Sequence, residues 1–444
     1  MDNFLKLKFR VESLMIVSLP IFMIISRFFL EFFLLIISFS FMVRIIKKNN
    51  YTIFKEYFSL FFLSLYVLLL LSFLFSDEKM NIISILLYFR FALYVFAILY
   101  FLKNEEHLLN YFLNTLLVLF FILFFDSLIQ YIYGYNSIGL KIFETHRVTS
   151  FFGNEPILGS YIVKLFPFLL IFKEIINKNF KKTNYLITLA IFFSPIIIFL
   201  SGERSSVVLF FLMICYYLFF FIKTKKFKFI YFYVVFIILS TGTFLYNSDV
   251  YYDRYITQTM NSMFDKEARG NKFFLPKQYQ DKNNFYLLSA QHQNFIYTGL
   301  NIFKENKLLG SGPKSFRYVC DNDNYKINEM SCNTHVHNYY LQALIETGLV
   351  GFVFIILTYL YIIYRSLKNF IKMLKGKFFS ITEVIILGFY FTQLWPLMQT
   401  GSIFNNWNSI VLFLPIAFFL FFKEKKMKSI NLVKPSIKKN ILCF

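Results

Sequence analysis

THVHNYYLQALIETGLVGFVFI, residues 334–355, runs from a pair of histidines straight into sequence fit only for a lipid interior. A helix beginning near Asn338 places Asn338, Gln342 and Glu346 at i, i+4 and i+8, one polar stripe on an otherwise apolar cylinder. Leu341, Leu344 and Leu349 take the other faces, and His337 projects from the first turn. The stretch therefore reads as the mouth of a membrane-spanning helix, with titratable groups at the water boundary. Composition agrees: 57% of the 444 residues are hydrophobic and 65 are Phe, with a mean hydropathy of +0.57, more apolar surface than soluble cores absorb. The chain reads as an all-α polytopic membrane protein. No cleavable signal peptide is expected, because the first apolar run, Leu14 to Ile25, lacks a small-residue cleavage site.

A spanning helix takes about 20 mostly apolar residues. Twelve segments qualify, near 12–27, 28–43, 57–75, 81–102, 108–130, 156–172, 184–200, 204–222, 229–246, 338–363, 381–397 and 405–422. The formal charge of +21 suggests nucleic acid at first sight, but the basic residues sit in short clusters between apolar runs, the pattern of cytoplasmic loops. With the N-terminus inside, alternate connections hold 28 of the 46 Lys and Arg residues. The five short connections opposite hold five: Arg27, Lys79, Lys141, Arg147 and Arg204. Both termini are thus expected in the cytoplasm, and 131–155, 201–206 and 247–337 on the outer face. The expected organisation is nine spanning helices over 1–246, an outer loop subdomain over 247–336, three more helices over 337–422, and a basic cytoplasmic tail over 423–444.

Within the loop, Phe295, Ile296, Leu300 and Phe303 recur at helical spacing and predict an amphipathic helix, stopped by Gly310, Ser311, Gly312 and Pro313. The GxG there suits either a helix stop or, less specifically, phosphate contact. Cys320 and Cys332 lie just ahead of the histidines. A disulfide between them would pin the approach to His337, while a nucleophilic Cys is the alternative. Cys215 and Cys443 read as inert.

The candidate chemistry collects on the outer face. Arg204, in FLSGERSSVVLFF, is either a snorkelling anchor or an anion ligand fixed in a short hairpin. Arg147, in ETHRVTSFFGNEP, is either a solvated loop residue or a ligand on a packed turn. Arg90 falls in mid-span and Lys164 nearer the outer end of its span, and ionisable groups there point inward or to a wet cavity. Asp126 is a plausible partner for one of them. His337 suits general-base work on a hydroxyl, with a metal site or a structural hydrogen bond as alternatives. His335 either shares the work or flanks it. Arginines clamping a diphosphate beside a histidine imply an anionic lipid-linked donor and a hydroxyl acceptor, without a metal.

These motifs, in this order, resemble the O-antigen ligase and O-antigen polymerase superfamily. They are Asp126 to Gln130, Arg147 to Asn154, Ser201 to Arg204, Lys307 to Phe316, and His335-Val-His337-Asn338 followed by Glu346-Thr-Gly348. The resemblance spans about 120–355. It implies a GT-C-type glycosyltransferase of the bacterial inner membrane, acting in lipopolysaccharide or polysaccharide synthesis with its site on the periplasmic face. It further implies inverting, cofactor-free transfer from undecaprenyl diphosphate to a hydroxyl of lipid A core or of a carrier-linked glycan. By resemblance His337 activates the acceptor and Arg204 holds the diphosphate, with Arg147 assisting. Asn338, Glu346, Gly348, Gly310 and Gly312 belong to the framework. Family ligases often carry another Arg at the start of the loop helix; here the segment reads Gln291-His292-Gln293-Asn294, so His292 would take that place. The competing class is a transporter or flippase for lipid-linked sugars, with Arg90 and Lys164 lining a path. Such transporters commonly show paired halves, and no half-to-half symmetry is evident in this sequence.

Overall fold

The structure, a computed structural model, describes residues 10–76, 82–105, 107–144, 147–176, 180–221, 230–264, 278, 286 and 289–439. Lys6, Lys8, Lys79, the basic run 223–228, most of 265–288 and Cys443 lie outside the described residues. Helices make up nearly all of it: α1 Val11–Ile25, α2 Arg27–Lys48, α3 Tyr57–Phe75, α4 Ile82–Asn104, α5 Leu108–Tyr133, α6 Leu158–Ile175 and α7 Lys181–Leu200. There follow α8 Arg204–Phe221, α9 Ile230–Asn247, α10 Asp249–Met263, α11 Ala290–Glu305, α12 Tyr339–Leu374, α13 Ile381–Gln393 and α14 Asn406–Lys439. Two isolated bridges, Tyr135 with Lys141 and Phe143 with Arg147, are the extended pairings among the described residues.

All twelve apolar segments are helical, and this is an all-α polytopic membrane protein. Eight helices among the described residues are long and apolar enough to cross a bilayer, or nine if the bent pair of α9 and α10 is one span. The expected twelve is larger because α1 and α13 are short and α6 carries Lys164, Lys173 and Glu174. α3 shows why such helices suit lipid. Leu60, Leu63, Val67, Leu71 and Leu74 repeat every three or four residues and are all exposed, while Phe58, Phe62, Leu69 and Phe73 are buried. An apolar outer face is stable only where no water meets it.

α6 is the central helix, packed against α7, α8 and α13 and buried almost throughout. Phe166 packs edge-on against Phe210 of α8, and Phe168 against Phe418 of α14. α4 lies between α2 and α14. Arg90 in α4 faces inward, as expected of an intramembrane cation, but its partner is Glu31 at 3.3 Å, with the guanidinium 4.5 Å from the Phe91 ring. Asp126 pairs with neither Arg90 nor Lys164. It accepts from the Ser137 amide at 2.9 Å and from the Ser137 and Ser150 hydroxyls, so it shapes a loop rather than neutralising a cation.

The chain bends by 107° at Ser248, whose hydroxyl caps α10 by accepting from the Tyr251 amide, and α10 crosses the end of the bundle. The amphipathic helix expected within 294–317 is α11. Its Phe295 and Ile296 pack with Phe316, Val336 and Ile345 in a small core separate from the main one. Cys320 and Cys332 are joined by a disulfide, with their Cα atoms 5.2 Å apart.

α12 is broken one quarter of the way along by Gly348 (φ +67°). The break lets residues 307–312 lie directly against it: Leu349 donates to the Lys307 carbonyl at 2.9 Å, and Gly312 to the Glu346 carbonyl at 3.0 Å. A Cβ at Gly348 would collide with the Leu308 carbonyl, and one at Gly310 with the backbone of residues 346–348. Because the amides of Gly310, Ser311 and Gly312 donate to Asn306, Ile345 and Glu346, the GxG serves this backbone contact. Gly348→Ala is expected to cost about 2 kcal/mol or more, from backbone strain and overlap together. Thermal unfolding of the detergent-solubilised protein checks this, and an unchanged midpoint would contradict it.

Candidate active site

Six sequence candidates meet in one cavity of about 440 Å³: Arg147, Lys164, Arg204, His292, His335 and His337. Arg90 is not part of it. It pairs with Glu31 instead. Each member is delivered by a local constraint that the sequence supplies.

Arg204 opens α8 after the tight turn Ser201-Gly202-Glu203, where Gly202 takes φ +65°. Glu203, only 7% exposed, turns back and caps α6. Its carboxylate accepts from the Gly159 and Ser160 amides at 2.6 and 3.1 Å and from the Ser206 hydroxyl at 2.8 Å. Those amides are among the orphan donors of a helix start, so the acid is well placed. From the other side α10 clamps the same hairpin. Tyr255 and Tyr251 donate to the Phe199 and Leu200 carbonyls at 2.6 and 3.2 Å, and Arg254 Nε to the Gly202 carbonyl at 3.0 Å. Arg204 Nη1 in turn donates to Thr259 and Ser262 of α10, each at 3.3 Å.

Arg147 is held by the α5 motif. Gln130 accepts from the Thr149 and Ser150 amides at 2.9 and 2.6 Å and donates to the Leu140 and Lys141 carbonyls at 3.2 Å. The Arg147 Nε is buried and has no hydrogen-bond partner among the described residues. Burial, and then the neighbouring Arg254, push its guanidinium below the usual range, while Glu203 and Glu144 pull the other way. Lys164, 8% exposed, donates to the Asn408 Oδ1 at 2.8 Å and lies 4.7 Å from the Trp407 ring centroid.

The histidines are not equivalent. His335 Nε2 meets the Thr400 carbonyl at 3.2 Å and its Nδ1 the Thr334 hydroxyl at 2.8 Å, which together fix the Nε2–H tautomer. His292 Nδ1 meets the Ser289 hydroxyl at 2.7 Å and the Gln399 amide nitrogen at 3.2 Å, so it is the acceptor. His337 has no hydrogen bond to either ring nitrogen among the described residues. It stands between the other two, with ring centroids at 4.1 Å from His335 and 5.0 Å from His292. Its backbone is left-handed (φ +60°), unusual for a non-Gly residue. The Thr400 amide donating to its carbonyl at 2.8 Å holds it there, as does Asn338 behind it. Asn338 caps α12 by accepting from the Tyr340 and Leu341 amides at 3.0 and 3.1 Å, and donates to the Pro396 and Met398 carbonyls.

Burial pushes His337 down to about 4, and burial together with the His337 charge pushes His335 and His292 to about 3. All three imidazoles are neutral near pH 7. Among the described residues, no group of three or more His, Cys, Asp or Glu side chains is placed to hold a metal ion.

Residues 189–356 match the family profile described as O-Antigen ligase. Over this segment the chain is similar to the O-antigen ligase family. A search of curated proteins found no match. The matched segment contains Arg204, Arg254, His292, His335 and His337, two of the guanidiniums and all three imidazoles that line the cavity. It excludes Arg147 and Lys164 upstream, and Gln393, Gln399 and Thr400 downstream, which complete the cavity from outside. That similarity supports a glycosyltransferase-like ligase or polymerase role.

Sequence reading missed Arg254 and Glu203. Arg254 sits in a Tyr-rich stretch with no catalytic spacing, and only the bend at Ser248 brings it to Arg147. Glu203 was legible only as a neighbour of Arg204, because its cap on α6 joins residues 44 apart.

Burial raises Glu203 to about 7, against the lowering effect of Ser206, the Gly159 amide and Arg147. A carboxyl whose folded pKa lies above its unfolded value of about 4.5 stabilises fully below 4.5, and that contribution is lost as pH rises through about 7. Glu203→Gln carries no such loss. Its unfolding midpoint relative to wild type should therefore climb as pH goes from 4.5 to 8, read by scanning fluorimetry, and a pH-independent difference would refute the assignment.

Proposed function

We propose that the chain transfers a glycan from undecaprenyl diphosphate to an acceptor hydroxyl, with inversion and without a metal. The acceptor hydroxyl is on lipid A core or on a growing carrier-linked chain, and the reaction takes place at the periplasmic face of the bacterial inner membrane. The observation that carries this reading is the meeting of Arg147, Arg204 and Arg254 with a neutral His337 whose ring nitrogens are uncommitted among the described residues. In this reading the guanidiniums, suited to bidentate phosphate contacts, hold the diphosphate.

The acceptor oxygen attacks the anomeric carbon opposite the leaving group, the bond from that carbon to the diphosphate oxygen breaks, and its electron pair leaves with the diphosphate. The acceptor proton passes to His337. A neutral imidazole is the form that accepts it, and the imidazolium so formed lies beside the departing anion, which offsets the cost of charging a buried ring. His335 and His292, with their Nδ1 atoms engaged, orient and screen. The positive-inside pattern supports a periplasmic site and cytoplasmic termini. Arg90, which a transport path would require, is spent on Glu31, and this favours transfer over transport.

In a purified assay with a carrier-linked glycan and an acceptor, His337→Ala should lower transfer about 10²–10⁴-fold, the usual worth of a general base. Arg204→Ala should lower it about 10²–10³-fold, as for loss of one preorganised charge contact, with Arg204→Lys recovering little. Wild-type transfer by His337→Ala, with normal protein in the membrane, would overturn the reading.

A further inference from the structure

Beyond the Lys164 and Trp407 pair lies a second cavity, of about 280 Å³. Trp407 lines it while receiving the Lys164 ammonium of the first cavity on its ring, and its Nε1 donates to the Met23 carbonyl at 2.9 Å. The non-helical strap 394–405 runs between the two: Gln399, Thr400 and Gly401 face the first, and Asn405 begins the wall of the second. Arg27, Lys314, Arg317, Asn405, Asn406 and Trp407 give the second cavity its chemistry, with Glu31 as its carboxylate among the described lining residues. Glu31 is already paired with Arg90 at 3.3 Å.

Lys314 and Arg317 are built in, whereas Arg27 is more exposed and already paired with Glu155. Lys314 has a left-handed backbone (φ +64°), and its amide donates to the buried Glu346 at 3.0 Å. Arg317 donates to the Thr334 carbonyl at 3.3 Å, from a one-turn helix that leads into the Cys320–Cys332 disulfide. Both are thus tied to the segment that carries His337. Burial, Arg90 and Arg317 together push the Lys314 ammonium down to about 8, as expected where cations crowd.

We propose that this second cavity binds an acidic sugar, a pyranose ring bearing a carboxylate or a phosphate. An indole face takes the apolar side of a ring, two carboxamides take hydroxyls, and a guanidinium with an ammonium takes the anion. The volume, just below the roughly 300–1,000 Å³ of drug-sized ligand clefts, suits one ring rather than a lipid-linked chain. Use of this site to seat the acceptor beside the donor rests on the transferase reading; the binding itself does not.

The chain has two tryptophans, so Trp395→Phe leaves Trp407 as the sole indole reporter. The full-length protein in detergent is titrated with a hexuronic acid, a hexose 1-phosphate, a neutral hexose and inorganic phosphate. Saturable quenching is expected from at least one acidic sugar, at least tenfold tighter than from the neutral hexose or inorganic phosphate, and the tighter acid names the group. Lys314→Asn, which tolerates the left-handed backbone, and Arg317→Ala should each weaken it at least tenfold at an unchanged unfolding temperature. Absence of quenching, equal binding of the neutral hexose or of inorganic phosphate, or unweakened binding by both variants would overturn the proposal. Isothermal titration of the wild-type chain reads the same ranking should Trp395→Phe not fold. No glycan is transferred in these titrations, so a failure here leaves the His337 result standing, and the reverse holds equally.

Discussion

Glu346 is the constraint on which both cavities depend. The carboxylate is fully buried in α12, and such a group is tolerable only if its oxygens are hydrogen-bonded. One oxygen accepts from the Lys314 amide and the Gln342 side chain, the other from the Phe316 amide. Gln342 then donates to Ser402 and accepts from the Ile403 amide at 3.1 Å. A single buried carboxyl group thereby fixes the loop 310–317, the helix mouth and the strap 394–405 relative to one another. The Gly348 break supports this arrangement, since the loop can reach the carboxylate only where α12 opens its backbone to close approach.

Backbone strain concentrates around the same junction. His337, Lys314 and Ser289 all have positive φ without being glycine, and each touches a cavity or holds a residue that does. Such conformations cost on the order of 1–3 kcal/mol each and persist only where neighbours over-determine them. Around His337 the determinants are visible: the Thr400 amide on its carbonyl and the Asn338 cap behind it. The effect is to aim an imidazole into the cavity from a position where a helical residue would point along α12.

Much of this was legible in the sequence because the signals are local. Apolar runs located every principal helix, since each must satisfy its backbone within itself in lipid. The stripe of Asn338, Gln342 and Glu346 was a spacing argument, and spacing survives folding; Asn338 became the cap, and the other two a hydrogen-bonded pair. Arg204 stood out because a short hairpin cannot swing away. What escaped was long-range. Asp126 was assigned a cation partner and instead organises a nearby loop, because Ser137 and Ser150 hydroxyls reach it first. Arg90 was assigned to the site from its mid-span position alone, and its compensation by Glu31, on a helix some sixty residues earlier, carries no sequence signature. Arg254 required the bend at Ser248, which follows from tertiary packing of Tyr251 and Tyr255 on the α7–α8 hairpin.

The charge arrangement of the first cavity follows from these constraints. Arg254 raises the cost of the Arg147 charge, and Glu203, the acid that opposes this most, is largely consumed as the cap of α6. Three neutral imidazoles add no compensation. The cavity is therefore electrostatically unfavourable to its own cations and would favour an entering polyanion, whose binding would relieve the repulsion. The same anion would raise the proton affinity of His337, so occupancy by a diphosphate would itself bring the imidazole, depressed by burial, toward the range where a base works best. In the proposed transfer, donor binding and base activation would be one electrostatic event.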